Sequence, residues 1–141
     1  MKSYMKLTIS SGSFAESFAR STVAAFCAPL NPTVDDISDI KTAVSEAVTN
    51  CMVHAYDGSE GEIVIEARLE NDALHIAVID FGVGIEDVSK AREPFYSTKL
   101  EEERTGMGFT VMESFMDEIE VESLIGVGTT VKMKKTINKG A

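Results

Sequence analysis

The chain lacks the features that mark several large functional classes. Only two of its 141 residues are cysteines, Cys27 and Cys51, and no Cys-x-x-Cys spacing or nearby histidine makes either one part of a metal site. Each falls inside an apolar helical pattern, so both read as small buried hydrophobes in a reducing compartment. No apolar run approaches the roughly 18–20 residues that span a bilayer. The N-terminus has no continuous apolar segment of the signal-peptide kind. The expectation is a cytoplasmic protein without membrane contact. Positive charge is scarce too, with 13 Lys and Arg against 23 Asp and Glu, a net charge of −10. That balance argues against direct nucleic-acid binding through phosphates and fits either basic protein partners or solubility alone, the more common case. Repeats, low-complexity tracts and linkers are absent. With 44% hydrophobic and 26% charged residues, the composition suits one domain over 1–141 with its own core.

What the chain does have is a long helical pattern over 34–56. Ile37, Ile40, Val44, Ala47, Val48 and Cys51 make its apolar stripe. Glu46, Asn50 and His54 recur every four residues and so line one flank of the same helix. An acid, a carboxamide and an imidazole beside a buried stripe either face water or need partners, because burying polar groups is costly. Thr33 is placed to cap this helix, and Asp35 and Asp36 in its first turn suit the helix dipole.

On the N-terminal side, residues 4–10 alternate as a half-buried strand does. A helical run follows, with Ser13 as its cap, Glu16 completing a capping box, and Phe14, Phe18, Ala25 and Phe26 among its apolar members. Arg20 lies off the stripe of Phe14 and Phe18. An exposed arginine in an acidic protein is a candidate partner contact. Pro29 and Pro32 end the helix in a turn. Beyond the turn cluster at 57–61 the period switches to two: Ile63, Ile65, Ala67 and Leu69 share one strand face. Asn71-Asp72 reads as a tight turn into a second strand, where Leu74, Ile76, Val78 and Asp80 share a face. Asp80 is therefore an acid at the end of a core-facing row. A glycine-rich turn at 81–85, a short helical stretch at 86–92 and a charged loop at 93–105 come next. Gly106-Met107-Gly108 opens a helix through Phe109, Met112, Phe115 and Met116, and a hairpin carrying Ile119, Val121 and Ser123, then Thr129, Val131 and Met133, closes the chain. The reading is α/β, with helices on one face of a largely antiparallel sheet.

Three weak signals then line up in order: Glu46-x-x-x-Asn50 on a helix, Asp80-x-Gly82-x-Gly84 after a strand, and Gly106-x-Gly108 at a helix start. The last suggests phosphate, since free N–H groups and the dipole meet there. The set resembles the GHKL superfamily of ATP-binding domains, shared by gyrase, heat-shock chaperones, histidine kinases and mismatch-repair ATPases. Its asparagine box is similar to Glu46 and Asn50. Its two glycine boxes are similar to Asp80-Phe81-Gly82-Val83-Gly84 and Gly106-Met107-Gly108-Phe109, and its closing Gly-Thr to Gly128-Thr129. The match runs from about residue 33 to the end. Residues 44–50, Thr105-Gly106-Met107-Gly108-Phe109-Thr110 and Ser17-Phe18-Ala19-Arg20 narrow the resemblance to the small bacterial serine kinases that double as anti-sigma factors, and to their sporulation branch.

The resemblance implies a Bergerat fold, a two-layer α+β sandwich whose mixed, mostly antiparallel sheet carries helices on one face. It implies ATP or ADP with Mg²⁺, a sigma factor as partner, and an anti-anti-sigma protein phosphorylated on serine. A homodimer through residues 1–30 and an ATP lid over 87–105 belong to the same expectation. In that scheme Glu46 is the base that takes the serine proton, and Asn50 offers its oxygen to Mg²⁺. Asp80 accepts from the adenine amino group, with Gly82, Gly84 and Ile85 close to the base. Gly106, Met107, Gly108 and Phe109 present N–H groups to the phosphates. Thr98, Lys99, Arg104 and Thr105 belong to the lid side, and Thr129 to the closing Gly-Thr. Lys99 and Arg104 read equally well as solvated charges, and His54 as an ordinary helix-end histidine. A stress-response kinase of the same type, or an ATP-gated binding module without phosphoryl transfer, stands beside this reading as an alternative.

Overall fold

The alternating stretches pair into one five-stranded sheet in the computed structural model, which describes residues 3–93 and 108–137. Strands β1 (Ser3–Ser10), β2 (Glu62–Glu70), β3 (Ala73–Asp80), β4 (Glu118–Leu124) and β5 (Gly128–Thr136) lie in the order β1-β2-β3-β5-β4. Every pairing among the described residues is antiparallel, which sharpens the mostly antiparallel expectation. Asn71 and Asp72 both take positive φ, 53° and 59°, the twist that a two-residue hairpin needs. That turn fixes the β2–β3 register and with it the faces. Ile63, Ile65, Ala67, Leu69, Leu74, Ile76 and Val78 are all buried. The other face carries cross-strand ion pairs such as Lys132–Glu122 at 3.0 Å and Lys134–Glu118 at 3.3 Å, as an antiparallel sheet with one wet side allows.

Helices α1 (Ala15–Phe26), α2 (Val34–Asn50) and α4 (Gly108–Phe115) share a single core with the inner sheet face, and α3 (Val88–Ala91) is one short turn. Thr33 caps α2 as expected: its hydroxyl accepts from the Asp36 N–H and the Asp36 carboxylate accepts from the Thr33 N–H, both at 3.0 Å. Expectations for two helices need correction. Ser13 does not cap α1, whose N-cap is Phe14 with no side-chain bond. The buried stripe of α1 is Ala15, Ala19 and Val23, continued by its C-cap Cys27, while Phe14 and Phe18 stay 61% and 45% exposed with their rings edge-on to each other. Small side chains let α1 lie close against α2, and bulkier ones on that stripe would hold the helices apart. The second correction concerns 34–56, which is not one continuous α-helix. After Asn50 the chain makes a π-helical turn, Cys51–Ala55, closed by the Tyr56 N–H donating to the Cys51 carbonyl at 3.0 Å.

Cys27 and Cys51 are buried free thiols. The one buried cation among the described residues, Lys135, donates to the Phe115 carbonyl at the end of α4 (2.9 Å) and lies 3.4 Å from Asp39 of α2. It ties α4 to α2 and to the sheet at once. No described helix is long and apolar enough to cross a membrane.

Candidate nucleotide site

The β3 row delivers Asp80 to the edge of the core, where it is 6% exposed. One of its oxygens, Oδ1, accepts two backbone N–H groups, from Gly82 at 3.0 Å and from Thr129 at 3.1 Å. The first donor comes from the glycine-rich turn, the second from the start of β5, paired with Asp80 in register. The buried Cys51 thiol of the π turn donates to the Ala47 carbonyl at 3.4 Å. Burial pushes the Asp80 carboxyl above the usual aspartate range, and the N–H bonds from Gly82 and Thr129 draw it part of the way back. Burial, then the Asp80 charge, push the Cys51 thiol well up, so it stays protonated and able to donate.

The turn after Asp80 is built on close backbone contacts. A side chain at Gly82 would begin 2.3 Å from the Ala55 carbonyl oxygen of the π turn. That same carbonyl accepts the Val83 N–H at 3.2 Å. Gly84 has φ +81°, and a Cβ there would meet the Leu124 carbonyl at 2.4 Å, so conformation and space both demand glycine. Tyr56 braces the frame from the other side: its hydroxyl donates to the Glu62 carbonyl and accepts the Phe81 N–H at 2.8 Å. Ser123 of β4 accepts the Ile85 N–H at 2.7 Å and sits 2.8 Å from the Thr129 hydroxyl. Asp80, Gly82, Gly84, Ile85 and Thr129 are thus brought together around one turn.

Asn50 directly precedes Cys51, so the asparagine expected for the metal sits at the end of α2 that abuts Asp80. Glu46 lies one turn back, half-buried, and lines an open groove with Glu16, Arg20, Ser38, Lys41 and Ser45. Arg20 donates there to Glu16 at 3.1 Å and Ser45 at 3.5 Å, its side chain 40% exposed. The expected partner contact and the expected base therefore share one groove. Gly108 and Phe109 are buried at the start of α4, which packs against α2. Thr98, Lys99, Arg104, Thr105, Gly106 and Met107 lie outside the described residues. His54 is half-buried on the π turn.

A family model for the histidine kinase-like ATPase domain matches residues 15–135. The anti-sigma F factor of Caldanaerobacter subterraneus is 58% identical over 135 residues, which is 96% of this chain and 94% of that protein. The chain belongs to the anti-sigma F factor family. The family member from Geobacillus kaustophilus is 53% identical over 140 residues, 99% of this chain and 96% of its own. Among solved structures, the RsbU and RsbW domains of a Mycobacterium tuberculosis protein superpose with a TM-score of 0.67. That likeness, at 23% identity over 96% of this chain, is one of fold, and the chain spans about a third (32%) of that longer one. This anti-sigma F family member thus carries an ATP- and ADP-binding domain of the histidine kinase-like type.

Two residues that hold the site together, Tyr56 and Ser123, carry no signal of that role in the sequence. Tyr56 marks only a helix end, and Ser123 only an inward position of an alternating strand. Their roles come from contacts across the chain, which spacing does not reveal.

Proposed function

We propose that this protein is an ATP-dependent serine kinase that also holds a sporulation sigma factor inactive, and that it phosphorylates and so inactivates the sigma factor's anti-anti-sigma antagonist. The observation that carries the reading is the buried Asp80 carboxylate, one oxygen committed to the Gly82 and Thr129 N–H groups. A fixed, ionised acceptor in an apolar slot suits the exocyclic amino group of adenine, which only donates. Gly82, Gly84 and Ile85 carry the backbone past the base, and Thr129 closes the pocket. Gly106, Met107, Gly108 and Phe109 are assigned to the phosphates, with Thr98, Lys99, Arg104 and Thr105 on the lid side.

Asn50 suits Mg²⁺: a hard cation takes a carboxamide oxygen and keeps its other positions for phosphate and water, so one protein ligand is enough. When bound, the ion neutralises charge on the β- and γ-phosphates. Glu46, one turn away and open to the groove, is the acceptor for the serine proton. Phosphoryl transfer asks mainly for positioning, with a base near the attacking hydroxyl, and α2 presents both side chains on one flank. Arg20 in the same groove is the partner contact. A homodimer fits the N-terminal region: β1 is an edge strand, and Phe14 and Phe18 stand exposed on α1 next to it in sequence. Light scattering checks the dimer, and a monomer at micromolar concentration would refute it.

The deciding experiment is single-turnover phosphate transfer to the anti-anti-sigma protein by Glu46→Gln, alongside its nucleotide dissociation constant. Transfer is expected to fall by ~10²–10⁴-fold with ATP affinity kept. Wild-type transfer would end the general-base assignment.

A further inference from the structure

Five of the ten large hydrophobic side chains exposed among the described residues sit on two turns at one end of the sheet. Phe81 and Val83 belong to the glycine-rich turn after β3. Leu124, Ile125 and Val127 belong to the turn from β4 into β5, and all five are 57–64% exposed. Single exposed hydrophobes are ordinary on a soluble protein, but a contiguous apolar patch marks an interaction site. The two turns adjoin. The Gly126 N–H donates to the Val83 carbonyl at 2.9 Å, and a Cβ at Gly128 would start 2.1 Å from the Asp80 carbonyl oxygen. Both turns also hang from Asp80 Oδ1, through the Gly82 and Thr129 N–H groups. The patch is built in advance, so a partner meets it without the cost of ordering a loop.

The charge around it selects the occupant. Glu62 is exposed and lies beside Phe81, since the Tyr56 hydroxyl bonds the backbone of both. Glu86 and Asp87 are exposed just beyond Val83. Glu122, two residues before Leu124, is matched by Lys132 at 3.0 Å, and Lys90 stands further along on α3. A second copy would bring the same carboxylates face to face, and an anionic lipid surface would add more charge of their sign. The net charge of −10 repeats that bias at longer range. An apolar protein segment flanked by Lys or Arg is complementary on both counts.

We infer that this patch docks an apolar, basic-flanked segment of the sigma factor. Of the proposed partners the sigma factor is the one that works on DNA, which demands basic surface to meet phosphates. The inference rests on the proposed anti-sigma function for the partner's identity, and it assigns that partner a surface sharing no residue with the Arg20 groove.

The test is fluorescence anisotropy of labelled sigma factor titrated with the full-length protein at constant ATP, comparing wild type with a combined Leu124→Ser, Ile125→Ser and Val127→Ser variant. None of these side chains is assigned to the nucleotide, so melting temperature and ADP affinity should match the wild type. Sigma-factor affinity should fall about tenfold or more. Glu86→Lys reverses one rim charge and should weaken binding about threefold, more at low salt than at high. Should the combined variant not fold, Leu124→Ser and Ile125→Ser made singly replace it, each expected to weaken binding about threefold. Wild-type sigma affinity in a folded patch variant overturns the docking surface and leaves the anti-sigma reading standing. No sigma binding by the wild type ends that reading and this inference together. Light scattering and co-sedimentation with phosphatidylglycerol vesicles address the other occupants, and the expected result is an unchanged oligomeric state and no vesicle binding. A wild-type dimer lost in the patch variant would give the surface to a second copy, and vesicle binding lost there would give it to lipid. Either overturns the proposal.

Discussion

The two ends of the site differ in material. Around Asp80 the contacts are backbone N–H groups and glycines without room for a Cβ. Around Glu46 and Arg20 they are long side chains reaching for one another across an open groove, Arg20 to Glu16 and Ser45. The first end is held by main chain and close packing, the second by side chains that can rearrange. Damage at one end is expected to stay there.

The largest effect belongs to Gly82→Val. Its side chain would begin inside van der Waals contact of the Ala55 carbonyl, forcing the turn and the π helix apart. Overpacking of this kind costs roughly 1–3 kcal/mol. Thermal unfolding should show that loss, and calorimetry should show ADP binding weakened further than by Asp80→Asn. A fully stable Gly82→Val with normal ADP binding would mean that the frame yields more than its contacts suggest.

Asp80→Asn comes next. Losing a charge-assisted bond typically costs ~1.5–3 kcal/mol, or about 10- to 150-fold in ADP affinity. Unchanged affinity in a folded variant would remove Asp80 from the pocket. Acidification is the milder version of the same change. Because burial raises the Asp80 carboxyl, ADP affinity should begin to fall at a higher pH than an exposed aspartate would give, and Asp80→Asn should lose that dependence. Stability moves the other way. The folded chain holds this proton more tightly than the unfolded chain does. The group's contribution is therefore full below its unfolded pKa and is lost as pH rises through its folded one. Paired scans of ADP affinity and melting temperature over about pH 4 to 7 test both signs.

The smallest effect is expected from Arg20→Glu. Its bonds are half-exposed and worth little to the fold, so the melting temperature and ADP affinity should hold. Partner affinity should fall by about tenfold, ~1.4 kcal/mol. A partner that binds the variant as well as the wild type removes Arg20 from the interface, and a change in ADP affinity would show that the two ends are coupled.

Where the chain's own spacing carried the information, the sequence was readable. Alternation placed Asp80 on the inner row, Asn71-Asp72 announced the hairpin that sets its register, and Thr33 with Asp36 marked where α2 begins. The failures share a cause. Pattern reading ranks residues by hydrophobicity, so it favoured Phe14 and Phe18 over Ala15 and Ala19, while close helix packing selects for small size. The shift from α to π after Asn50 changes which carbonyls the N–H groups reach and leaves no mark in composition. The bonds of Tyr56 and Ser123 to the glycine-rich turn join parts of the chain that are 25 and 38 residues apart, beyond any local period.

The π turn has a consequence for anyone editing this protein. A wide turn holds one residue more than an α-helical turn needs, so trimming a residue at 51–55 looks like harmless regularisation of a helix. Each residue advances a helix by about 100°, so the deletion would swing Ala55 and Tyr56 around the axis by that much. The carbonyl that receives Val83 and the hydroxyl that receives Phe81 would turn away together. The extra residue behaves as a spacer cut to length: what it adds to the helix is the phase at which the chain leaves it.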